Sequence, residues 1–174
     1  MVLKLIHGHR AFLFGFMNRQ KETVTKLEMN KSNFEEILAR DGRLFYMNIG
    51  DSMMPLIKQG RDLLVIEKTA GKLKKYDIPL YKRDNGQYVL HRILKVREND
   101  YVICGDNRWS KETGIIDRQI IGVLTALVRE GKEIPLDSWK YRLYAHLWCD
   151  FFPIRALVLK MHYAWKRVRK NYEG

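Results

Sequence analysis

Three polar clusters interrupt apolar stretches in the middle of this chain, and their residue types are those of acyl-transfer chemistry. In Gly50-Asp51-Ser52-Met53-Met54-Pro55 a serine follows a strand end. A turn there exposes Oγ and aims backbone N–H groups at one spot, as a nucleophile with an oxyanion site requires. Serines in turns are more often structural, so the hydroxyl counts only if a base lies within reach. In Val89-Leu90-His91-Arg92-Ile93, period-two alternation puts His91 on the face of Val89 and Ile93. A poorly solvated imidazole needs a partner: it is either a core histidine bonded to backbone or a neutral general base. Gly105-Asp106-Asn107-Arg108, with Glu112 and Asp117 downstream, offers carboxylates that either orient the histidine or pair with Arg92. A surface Asx turn is the plain alternative for that cluster.

The elements that must position these residues are short strands. Leu44–Ile49, Asp62–Ile66, Ile78–Tyr81, Tyr88–Val96, Tyr101–Cys104 and Ile120–Val128 are rich in β-branched and aromatic residues and are separated by turn signals. Asn85-Gly86 is a hairpin turn signature. This spacing predicts a mainly β, antiparallel domain over residues 43–130, flanked by α-helical segments at 1–42 and 131–174. Ser32 with Glu35 forms a capping box ahead of a short helix. Towards the C-terminus, Leu143, Leu147, Phe151, Ile154, Val158, Met161, Trp165 and Val168 recur at steps of four and three. That is an amphipathic helical stripe, with Pro153 either starting a new helix or kinking one.

Taken in order, the clusters resemble the type I signal peptidases and their repressor-autoprotease relatives. Gly50–Pro55 followed by Gly60-Arg61-Asp62-Leu63-Leu64-Val65 is similar to the family's Ser-Met-x-Pro motif and its Gly-Asp-apolar strand. Lys75-Tyr76-Asp77-Ile78-Pro79-Leu80-Tyr81 resembles the next strand, normally Gly-Asp-Ile-Val-x-Phe. His91-Arg92-Ile93 stands at the Lys/His-Arg-Val position. Gly105-Asp106-Asn107-Arg108, with Ser110 and Glu112, is similar to the closing Gly-Asp-Asn box, and Ile121-Gly122-Val123 to the final strand. The resemblance covers residues 43–128 and points to the Ser/His subclass of the endoplasmic reticulum, archaea and spore-forming bacteria. It implies a serine endopeptidase with Ser52 as nucleophile, His91 as general base and Asp106, or alternatively Glu112 or Asp117, as the acidic partner. It also implies a signal- or leader-like peptide substrate, bound as an extended strand with small side chains near the cut. The chain departs from the pattern at Arg61 inside the Gly-Asp pair, at Tyr76 in place of glycine, and at Pro79, which hints at an edge strand. The family's membrane-spanning anchors are also absent from this sequence.

Charge narrows the partners. The 174 residues carry 32 Lys/Arg against 20 Asp/Glu, a net +12. Residues 1–31 hold +4 and 129–174 hold +5, so residues 32–128 hold only +3. A near-balanced centre argues against a nucleic-acid groove, and residues 1–42 are too short for a repressor's DNA-binding domain. The basic, aromatic C-terminal stripe fits either an anionic membrane surface or packing on a protein, its own domain included. The apolar run Ala11–Met17 is too short for a span and lacks a cleavage signature, so the segment is amphipathic or poorly ordered. A peripheral membrane or cytoplasmic location is expected. Cys104 and Cys149 lie far apart in apolar settings, which predicts two buried thiols, and no metal or other cofactor is expected.

Overall fold

The computed structural model describes residues 34–47, 49–69 and 71–172. The Ser32 capping box and the apolar N-terminal run lie outside the described residues. Helix α1 (Phe34–Asp41) turns Phe34 and Leu38 inward. Nine strands follow: β1 (Arg43–Met47), β2 (Asp62–Glu67), β3 (Pro79–Lys82), β4 (Tyr88–Leu90), β5 (Arg92–Val96), β6 (Tyr101–Cys104), β7 (Glu112–Ile115), β8 (Ile120–Arg129) and β9 (Lys132–Pro135). Helices α2 (Trp139–Asp150) and α3 (Phe152–Tyr172) complete the fold. The protein is mainly antiparallel β with flanking helices.

Two sheets share the strands. The larger runs β1-β2-β8-β3-β4, with β9 also paired to β8, and the smaller runs β5-β6-β7. β8 is long enough to pair with β2 along one side while its other side is divided between β3 and β9. Asn85-Gly86 makes the β3–β4 hairpin, with Gly86 at φ 82° and its N–H donating to Arg83 O at 2.8 Å.

Two sequence expectations need correction. Tyr88–Val96 is not one strand: it breaks at His91, where the chain leaves the larger sheet for the smaller. Pro79 does not mark a sheet edge, since β3 lies between β8 and β4. Proline is accommodated as the first residue of the strand, a position that strands tolerate. β7 and β9 carry too few apolar residues to announce themselves. β8 and β9 form a hairpin, and β9 joins the larger sheet.

The main core joins α1 to the larger sheet through Phe34, Leu38, Leu64, Ile66, Leu80 and Leu127. A second cluster of Tyr81, Ile93, Tyr101, Ile103 and Ile115 fills the smaller sheet. A third, Leu94, Cys104 and Cys149, fastens α2 to it, and both cysteines are free and buried as expected. Burial pushes the Cys149 thiol up to about 12, so it is inert as a nucleophile. Pro153 stands in the first turn of α3, so it starts a new helix there. No described helix is long and apolar enough to cross a membrane.

Candidate active site

Ser52 sits in the loop between β1 and β2. Gly50 opens that loop at φ 104°, in the region that favours glycine, and the fully buried Met53 anchors it. Met54 N–H donates to Asp51 O at 3.0 Å, closing a turn around the serine. Neither Ser52 Oγ nor Ser52 N–H bonds to any other described residue. Asp51 is held outward by Arg108 Nη2 at 2.6 Å and Asn107 Nδ2 at 3.3 Å. One end of the loop is therefore pinned by the core and the other by the Gly105–Arg108 box.

His91 occupies the crossing between the sheets, so its backbone is fixed by strands on both sides. Gly105 brings it to the serine. A Cβ added at Gly105 would stand 2.7 Å from the Ser52 carbonyl oxygen and 3.0 Å from His91 Nε2. Asn107 N–H donates to that same Ser52 carbonyl at 2.8 Å. Only a residue without a side chain lets the serine loop and the imidazole converge on this point. Ser52 and His91 also line one cleft of about 700 Å³, whose apolar lining includes Leu64, Ile66 and Leu80. Its walls reach β1 at Tyr46 and run along Tyr88–Leu90 of β4, the two ends of the β1-β2-β8-β3-β4 order.

The other side of the ring meets Tyr81. The Tyr81 hydroxyl lies 3.4 Å from His91 Nδ1 and donates to the Glu112 carboxylate, which also pairs with Arg83. Since the tyrosine proton is given to Glu112, its oxygen can only accept from the imidazole. Hydrogen-bond arithmetic thus places the proton on Nδ1 and leaves the lone pair on Nε2, the nitrogen at the Ser52 end. Burial lowers the His91 pKa to about 4, with Arg83 and Arg108 adding to the effect against Glu112 and Asp106. The ring is neutral at pH 7.

Asp106 faces elsewhere. Its carboxylate takes both Nε and Nη2 of Arg92, at 2.8 and 2.7 Å, in a pair with no solvent exposure. It accepts a further bond from Tyr144 at 3.0 Å, and Arg92 donates to Tyr141 at 2.6 Å. Burial opposes the Arg92 charge, yet the Asp106 carboxylate keeps it firmly protonated. Of the two roles open to Asp106 in the sequence, the geometry gives the anchoring of Arg92. Asp117 accepts from Tyr101 and lies away from the cleft. Glu112 reaches the imidazole, but only through Tyr81.

The C-terminal helices brace this box from behind. Trp148 Nε1 donates to Asp106 O at 2.8 Å, and Arg155 Nη2 donates to Arg108 O at 2.9 Å and Gly105 O at 3.3 Å. Sequence reasoning missed Tyr81, Tyr144, Trp148 and Arg155 as site-forming residues. Apart from the Tyr81–His91 contact at 10 positions, their partners in the site lie 31 to 50 positions away, and no local pattern signals such pairing.

No cluster of three metal-ligating side chains occurs among the described residues. A second cleft, of about 790 Å³ between β8–β9 and α2, is lined by neither serine nor cysteine. No family model, curated protein or solved structure matches this chain.

Proposed function

We propose that the protein is a serine endopeptidase of the kind its motifs resemble, the Ser/His signal peptidases, acting on a peptide or precursor protein as a peripheral membrane or cytoplasmic enzyme. The observation that carries this reading is the convergence of the Ser52 backbone and His91 Nε2 on Gly105, in a cleft lined by the edge strand β4.

Ser52 Oγ has no hydrogen-bond partner among the described residues, and the reaction requires it to turn to His91 Nε2. As Oγ attacks the peptide carbonyl, its proton passes to Nε2 and the carbonyl electrons move onto oxygen. The free Ser52 N–H donates to that oxyanion, an interaction worth about 3–4 kcal/mol per donor. The imidazolium then protonates the leaving amine and the C–N bond breaks. Water, deprotonated by His91, releases the acid and restores Ser52 Oγ–H. Tyr81 and Glu112 stabilise the imidazolium through Nδ1, the role an aspartate plays in other triads. The substrate adds as a strand beside β4.

The competing reading is a binding or maturation module with little turnover, favoured by the commitment of Asp106 to Arg92. Treatment with a fluorophosphonate separates the two: in the peptidase Ser52 Oγ displaces fluoride and gains the mass of the phosphonyl group, the reagent less HF, and the module stays unlabelled. Ser52→Ala and His91→Ala should each abolish cleavage of a signal-peptide-like substrate. Full activity in either variant would sink the mechanism.

A further inference from the structure

The stripe expected from the sequence forms, and it points outward. Leu147, Phe151, Ile154, Val158, Met161 and Trp165 are each 54–63% exposed. On other faces of α2 and α3, Ala145, Cys149, Arg155 and Leu159 are already buried, Cys149 against Leu94 and Cys104 and Arg155 on the Gly105–Arg108 box. The ridge is therefore not waiting for its own core. Soluble monomers rarely expose an apolar surface this continuous without a partner for it.

Charge selects the partner. Residues 139–172 contain eight Lys/Arg and one acid, Asp150. That acid is taken up by Lys75 at 2.6 Å and by Tyr76, on the β-domain side. Lys140, Arg142, Lys160, Lys166 and Arg169 are exposed. Two copies stacked ridge to ridge would oppose these cations, whereas an anionic surface neutralises them. Trp139 and Trp165 are the side chains that settle at a headgroup boundary. We propose that the outer ridge of α2–α3 is a bilayer-docking surface that rests on anionic lipid, its apolar side chains entering the headgroup–acyl boundary. The surface lies outside the catalytic cleft, so this inference does not depend on the peptidase reading.

The test is co-sedimentation of the full chain with vesicles of phosphatidylcholine alone or mixed with phosphatidylglycerol, alongside light scattering without lipid. The expected result is binding to the anionic vesicles only, weakened by salt. Val158→Glu/Met161→Glu should reduce the bound fraction at least about tenfold while leaving circular dichroism unchanged. A Lys160→Ala/Lys166→Ala variant, which removes no apolar surface, should bind more weakly than wild type. Failure of wild type to bind anionic vesicles, equal binding by the glutamate variant, or salt-independent binding to both vesicle types overturns the proposal. So does a dimer that the glutamate variant dissolves, since the ridge would then be a contact between copies.

Discussion

Tyr81 stands between His91 and Glu112, its oxygen 3.4 Å from His91 Nδ1 and its proton committed to the carboxylate. In the proposed mechanism the acid thus acts at one remove. Tyr81→Phe keeps the ring in the core and deletes only the relay. It should lower kcat/KM about tenfold or more while leaving the melting temperature within a few degrees, because the tautomer and the imidazolium lose their support. Glu112→Gln should act in the same direction. An unchanged kcat/KM in Tyr81→Phe would remove the relay from the mechanism.

Gly105 tests the convergence itself. Alanine there forces a methyl against the Ser52 carbonyl, which is backbone and cannot swing aside. Gly105→Ala should destabilise the fold by about 1–3 kcal/mol, as overpacking does, and abolish cleavage. Denaturant melts together with peptide hydrolysis check both. Retained activity would mean that the serine loop and His91 do not act together.

The Arg92–Asp106 pair should be costly to break singly. Asp106→Asn leaves a fully buried guanidinium without its counter-charge, a loss of about 3–5 kcal/mol. Arg92→Met/Asp106→Leu removes both charges and should be distinctly more stable than Asp106→Asn. A double-mutant cycle reads the difference. The double variant ought still to bind the fluorophosphonate at Ser52, provided Gly105 keeps its place.

Acid should separate activity from stability. Burial holds His91 near 4, so kcat/KM should stay level through pH 6.5 and fall only as the pH approaches 4. An acid limb at 6.5 would contradict that environment. Asp62 reports on the fold instead. Burial raises its pKa, but Arg61, Arg129 and the Lys58 N–H outweigh burial and hold it at about 2 against an ordinary 3.8. The unfolded chain therefore binds a proton that the folded chain refuses. This stabilisation, about 2 kcal/mol, is complete above pH 3.8 and is lost as pH falls towards 2. Asp62→Asn should flatten that part of the acid-unfolding curve.

The sheet was legible because its strands are rich in β-branched and aromatic residues and Asn85-Gly86 marks a hairpin. The break at His91 was not, since a strand that changes sheets keeps the same composition on both sides. Arg61, which departs from the family pattern, turned out to share Asp62 with Arg129. Tyr76 is also explained: its φ of 80° suits the glycine of the pattern. The side chain compensates by packing its ring at a tilt against His146, centroids 4.5 Å apart, and by donating its hydroxyl to Asp150, which ties it to α2. Ser52 and His91 could be picked out by residue type. Tyr81, Trp148 and Arg155 reach the site by tertiary pairing that no local spacing encodes.

Arg155 meets Gly105 across 50 positions of sequence. On a chain made from its N-terminus, Ser52, His91 and Gly105 all emerge well before the residue that clamps the box. A ribosome-bound chain that has folded its strands still lacks Trp148 and Arg155 behind Asp106. The Ser52–His91 cleft is thus braced late, and under the proposed peptidase reading a half-made copy is spared from acting on whatever peptide surrounds it.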